Sequence, residues 1–232
     1  MLHGFGGTRH AWDRVAAEID GERYRSLAID LPGHGEAADV RPVSFHSCIA
    51  RVLAAAPPRF ALTGYSMGGR IALRVALAAP ERVTRLALVS TTAGIEDDGE
   101  RAARRAADEE LARSLETGPY EDFIDRWRGQ PLFADEPSAV AAAARADQLR
   151  NGPAGLAASL RGVGAGEMAP LWGRLGELSM PAVVVAGASD LRYRALGERL
   201  AAGLPRGKLR LLPGGHALAL WSPEAVAAAI AP

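Results

Sequence analysis

The pentapeptide Gly64-Tyr65-Ser66-Met67-Gly68 sets a hydroxyl between two glycines, on a backbone able to turn sharply. A serine is a weak nucleophile or base until an imidazole accepts its proton and a carboxylate fixes that imidazole's tautomer. The chain supplies both later on. Asp190 stands in Gly187-Ala188-Ser189-Asp190, and His216 in Pro213-Gly214-Gly215-His216. Alone, a loop aspartate is more often a helix cap and a loop histidine a bystander. The order serine, aspartate, histidine, with the last two after late strands, is what argues for catalysis by Ser66, Asp190 and His216. His3, His10, His34 and His46 lie early and fit no triad position. No H-E-x-x-H spacing is present, and the lone Cys48 gives neither a disulfide nor a cysteine-based metal site, so no metal or cofactor is expected.

Chemistry on a carbonyl also needs donors for the oxygen that gathers negative charge. The Met67 N–H, directly after the serine, is one candidate. The loop His3-Gly4-Phe5-Gly6-Gly7 offers the other, the Phe5 N–H, because neighbouring glycines let backbone approach a substrate closely. Arginines complete the constellation. Arg70 lies one helical turn after Ser66 and shares its face. Arg101, Arg104 and Arg105 form one stripe of a helix beginning near Glu100, and Arg150 ends a later helix before Asn151-Gly152-Pro153. Any one of these, taken alone, reads as a solvated surface residue. Together they suit a small-molecule substrate bearing several carboxylates, since guanidinium groups grip carboxylates in bidentate fashion.

These residues need a scaffold. Apolar runs at 24–30, 59–64, 83–90, 182–187 and 208–212 predict strands, and helical periodicity predicts helices near 47–56, 67–79, 194–203 and 223–231. The alternation implies a mostly parallel sheet with helices on both faces. From Glu96 to Arg174 only helical stretches occur, parted by Gly118-Pro119, Gln130-Pro131 and Gly152-Pro153. The expected organisation is a core of residues 1–95 and 175–232 with a helical cap, 96–174, inserted over the active-site edge. Met1-Leu2-His3-Gly4 begins where a strand should be ending, so the sheet is expected to lack its N-terminal strands, a central one included. A start assigned too far downstream would give this beginning.

Lys+Arg and Asp+Glu both number 27, so net charge argues for neither nucleic acid nor an anionic membrane. Lys208 is the single lysine, and arginine carries almost all the positive charge. No signal peptide and no apolar run of about 18 residues is seen, which reads as a cytoplasmic protein. Oligomeric state is not legible here.

The chain resembles the menaquinone-pathway 2-succinyl-6-hydroxy-2,4-cyclohexadiene-1-carboxylate synthases, members of the α/β-hydrolase superfamily. The resemblance rests on Leu2-His3-Gly4-Phe5, Asp30-Leu31-Pro32-Gly33-His34-Gly35 and Gly64-Tyr65-Ser66-Met67-Gly68-Gly69-Arg70. Further along it includes Gly99-Glu100-Arg101-Ala102-Ala103-Arg104, Trp127 before Gln130-Pro131-Leu132-Phe133, and Leu149-Arg150-Asn151. It implies the α/β-hydrolase fold and a lyase that expels pyruvate from an enolpyruvyl cyclohexene carrying three carboxylates. It also implies substrate contacts from Tyr65, Arg70, Arg104, Trp127 and Arg150. The same triad would serve an esterase, a thioesterase or a carbon–carbon bond hydrolase, and the fold also hosts non-catalytic binding proteins. Such binders usually lose a triad member, and an ester pocket should be apolar; here the triad is full and the arginines are several.

Overall fold

The computed structural model describes residues 1–231. Four parallel strands form its sheet: β1 (Phe60–Tyr65), β2 (Val83–Val89), β3 (Ala182–Gly187) and β4 (Gly207–Leu212), in the order β1-β2-β3-β4. Parallel strands need crossovers, and helices supply them. Two short N-terminal helices, α1 (Asp13–Ala17) and α2 (Phe45–Ala55), precede β1; α3 (Met67–Ala78) joins β1 to β2. The segment between β2 and β3 contains α4 (Asp98–Thr117), α5 (Tyr120–Arg128), α6 (Ser138–Gln148) and α7 (Pro153–Val163). The helix α8 (Leu191–Gly203) links β3 to β4, and α9 (Leu218–Trp221) and α10 (Pro223–Ile230) follow.

Register fixes the geometry of the site. Leu88 and Val89 of β2 pair with Val184 and Val185 of β3, whose Val185, Ala186 and Gly187 pair with Arg210, Leu211 and Leu212 of β4. All strands run the same way, so their C-terminal ends share one edge. Every residue of β3 is buried, as a strand covered on both faces must be, whereas β4 lies at the border and keeps only partial cover. One apolar cluster, with Leu62, Ile71, Leu73, Leu86, Leu88 and Val184, fills one face; another, with Trp12, Val89, Val183, Val185, Leu218 and Val226, fills the other. A third binds the inserted helices together through Leu115, Phe123, Ile124, Leu156 and Leu160.

The strand expected at 24–30 does not form as a ladder. Only Ile29 makes a bridge, to Leu2, whose other side bridges Gly64 of β1. Leu2 thus takes the position between them: its N–H donates to Thr63 O at 2.9 Å and its carbonyl accepts from Tyr65 N–H at 3.0 Å. Residues 24–28 make no further bridge and stay outside the sheet ladder. The other expected elements differ from those observed mainly at their ends; α8 opens three residues earlier than its periodicity implied, because Asp190 caps it.

Leu156 is fully buried in the cluster that ties α7 to α4. Leu156→Ala is expected to lower unfolding free energy by about 2–5 kcal/mol, the range for a leucine-sized core cavity. Urea titration followed by circular dichroism measures it; a change under 1 kcal/mol would mean that the helices do not pack as described.

Candidate active site

Ser66 occupies the turn between β1 and α3 with φ 51° and ψ −112°, a region L residues seldom visit. Its neighbours make the conformation possible. A Cβ on Gly64 would collide with the Gly68 carbonyl, and one on Gly68 with the Leu2 carbonyl, so only glycine fits at either place. The Thr91 hydroxyl donates to the Ser66 carbonyl at 2.7 Å, pinning the turn from the end of β2. The Ser66 hydroxyl is consequently held up from the sheet edge.

His216 comes to it from the loop after β4. Its Nε2 lies 3.1 Å from Ser66 Oγ, and its Nδ1 lies 3.0 Å from Asp190 Oδ2. A carboxylate only accepts, so Nδ1 carries the proton and Nε2 is free to accept from the serine. The other Asp190 oxygen accepts from the Tyr193 N–H at 3.1 Å. His216 and Asp190 are both buried. The Tyr193 ring lies against His216 with centroids 4.4 Å apart, and Tyr65 flanks the imidazole at 5.4 Å. Burial pushes the Tyr65 phenol up, so it stays protonated at any working pH.

The loop carrying Phe5 is clamped from several sides. Gly6 adopts φ 74°, and its N–H donates to His34 Nε2 at 3.2 Å. Its carbonyl accepts from Asn151 Nδ2 at 2.6 Å, while the Thr8 hydroxyl and N–H both donate to Asp147. Asp147 and Asn151 belong to the inserted segment, so that segment and the loop position each other. The N–H groups of Phe5 and Met67 have no hydrogen-bond partner among the described residues. Both residues line the same cavity as Ser66.

That cavity, about 750 Å³, also takes in Tyr65, Arg70, Arg104, Trp127, Arg128, Phe133, Glu136, Arg192, Tyr193 and His216. Arg70 is buried, and its Nη1 donates to the carbonyls of Val163 and Gly164 at the end of α7, at 2.8 and 3.1 Å. A cation at a helix C-terminus is well placed. Burial lowers its pKa to about 10, which leaves it charged at neutral pH. Arg104 is held through Nε by the buried Asp108 at 2.9 Å. Phe5 packs on Trp127 at 4.9 Å. Among the described residues no cluster of three His, Cys, Asp or Glu side chains could hold a metal ion.

The remaining arginines of the sequence pattern stand elsewhere. Arg150 is 57% exposed, sits 3.8 Å from Asp147 and is not part of the cavity wall. It follows the last turn of α6, where its side chain turns outward. Arg101 donates to the carbonyls of Ile95 and Glu96, and Arg105 to that of Gly166. Neither lines the cavity. Tyr193 and Arg128 were not singled out from sequence. The first could have been found as the third residue of a helix capped by Asp190, the second from the spacing Ile124, Trp127, Arg128, which places it on one helix face with known apolar positions.

His34 lies well below the ordinary imidazole range because burial penalises the cation, and His3 is lowered by the same cause. Both resist protonation in the folded chain more than free imidazoles, which protonate below about pH 6.5. Unfolding then takes up protons, so stability should fall as pH drops from about 7 to 5. Urea midpoints across that range measure the slope. His34→Gln should flatten it by roughly one proton's share; an unaltered slope would place the titration elsewhere.

A model of the alpha/beta hydrolase family matches residues 1–229. The 2-succinyl-6-hydroxy-2,4-cyclohexadiene-1-carboxylate synthase of Serratia proteamaculans (strain 568) is 34% identical, with 98% of this chain and 89% of that protein covered. The solved structure of MenH from S. aureus superposes with a TM-score of 0.91 at 29% identity, over 98% of this chain and 89% of the other. A thermophilic esterase from Thermogutta terrifontis also superposes, with a TM-score of 0.79 at 26% identity over 99% of this chain and 86% of the other.

Proposed function

The chain belongs to the alpha/beta hydrolase family and, within it, to the 2-succinyl-6-hydroxy-2,4-cyclohexadiene-1-carboxylate synthases, and from that we propose that it is a carbon–oxygen lyase of menaquinone biosynthesis. It eliminates pyruvate from 2-succinyl-5-enolpyruvyl-6-hydroxy-3-cyclohexene-1-carboxylate. The observation that carries this reading is a serine–histidine–aspartate relay opening into a cavity walled by the buried cation Arg70 and by Arg104. A neutral ester would gain little from the desolvated guanidinium of Arg70 with Arg104 beside it in the wall, whereas a polycarboxylate gains much.

In this mechanism His216 accepts the Ser66 proton and Asp190 stabilises the resulting imidazolium. The Ser66 alkoxide removes the ring hydrogen beside the succinyl ketone. Charge passes to the ketone oxygen, which the N–H groups of Phe5 and Met67 receive. The electrons then move through the ring and the bond to the enolpyruvyl oxygen breaks. The departing enolate takes the proton held on the His216 imidazolium and leaves as pyruvate, Ser66 keeps the ring proton as its hydroxyl hydrogen, and the ring becomes a conjugated diene. Ser66 is a base here and forms no acyl intermediate. Arg70 and Arg104 hold substrate carboxylates, Tyr65 and Trp127 flank the ring, and the proposal includes a cytoplasmic location.

Pyruvate release coupled to NADH oxidation tests the reading. Rapid turnover of the enolpyruvyl cyclohexene with negligible cleavage of nitrophenyl esters is expected, and the reverse pattern would favour a hydrolase. Ser66→Ala should lower kcat by about 10³-fold or more. Arg104→Ala should raise KM by about tenfold or more while kcat changes little, as for loss of uniform binding.

A further inference from the structure

The substrate of the proposed reaction has three carboxylates, yet of the expected arginines only Arg70 and Arg104 stand in the cavity wall, because Arg150 faces outward. The following rests on that reading. The cavity holds another guanidinium in a more sheltered place. Arg128, the last residue of α5, is 11% exposed and pairs through Nη2 with Glu136, which is 2% exposed. Both line the cavity. The Arg128 guanidinium lies over the Phe133 ring, 5.1 Å from its centroid, and the Phe133 ring is itself 6.1 Å from that of His216. Arg128 is therefore within one aromatic ring of the catalytic imidazole.

The pair makes little sense as a purely structural bridge. Removing two ions from water is costly unless their remaining hydrogen-bonding capacity is met. Here it is not: Glu136 Oε1 is buried without a partner, and the Arg128 Nη1 and Nε groups donate to nothing among the described residues. Burial also pushes the Glu136 carboxyl up despite the pull of Arg128. An under-satisfied cation with a free donor edge in the cavity wall is what a carboxylate would complete. Arg192, the other cavity arginine, is exposed and has no such shelter.

We propose that Arg128 is the third carboxylate-binding residue of this cavity, with Glu136 fixing the orientation of its guanidinium by occupying Nη2 and leaving the remaining donors to substrate. Arg128 thus determines affinity for a tricarboxylate and takes no part in proton transfer.

The test compares Arg128→Gln, Arg150→Gln and the uncharged double variant Arg128→Gln/Glu136→Gln with the wild type, by steady-state pyruvate release and circular dichroism. The double variant is included because Arg128→Gln alone leaves Glu136 buried and unpaired. The expected result is a KM at least tenfold higher in both Arg128 variants, kcat within threefold, and Arg150→Gln within twofold on both constants. Wild-type turnover with KM unchanged in the folded double variant would overturn the proposal, as would a KM loss confined to Arg150→Gln. If the wild type releases no pyruvate, the function reading itself fails. The role of Arg128 is then judged by isothermal titration with the intact tricarboxylate, where equal affinity for wild type and double variant overturns it.

Discussion

His216 can touch Ser66 on one side and Asp190 on the other only because three parallel strands end at one edge in fixed register. β1 delivers the serine, β3 the aspartate and β4 the histidine, and β2 separates the first pair by the width of a strand. A slip of one residue in any pairing would turn that strand's side chains to the opposite face. The relay distances of 3.0 and 3.1 Å are thus a property of the sheet before they are a property of the loops. The strained turn at Ser66 depends on the same frame, since its φ of 51° is tolerated only where Gly64 and Gly68 allow backbone to pass closely and Thr91 holds the carbonyl.

The helices between β2 and β3 do more than cover this edge. Asp147 and Asn151 reach down to Thr8 and Gly6, and His34 holds the same loop from the core side. Loop and insertion are joined by buried polar contacts, which are directional and lose much when one partner is removed. Carbonyls at the end of α7 also orient Arg70. Arg70 in the cavity wall and the loop that carries the Phe5 N–H are in this way held in place by contacts from the same helices. In a water-poor cavity such fixed donors act more strongly than they would in solvent.

Much of this was legible in the chain itself. The motif around Ser66, the aspartate and histidine after late apolar runs, and the block of helices without strands each follow from local composition and period. So does the glycine requirement at positions 64 and 68, which a nucleophile turn imposes. The segment 24–30 misled for a physical reason: its apolar pattern suits a strand, but a strand needs a partner of comparable length, and Leu2 supplies a single bridge. Local pattern reports what a segment can do, and pairing decides what it does.

Side-chain direction was beyond the sequence. Arg104 and Arg150 carry the same chemistry in helical surroundings, yet Arg104 lines the cavity, held by the buried Asp108, and Arg150, just past the end of α6, is exposed to solvent. Arg128 has no motif to mark it and gains its interest from Glu136 and Phe133, brought to it by the fold. The order of residues determined the type of chemistry and the elements that carry it. The tertiary structure decided which charges lose their water and face one another, since desolvation and distance depend on packing from all directions and on no single stretch of chain.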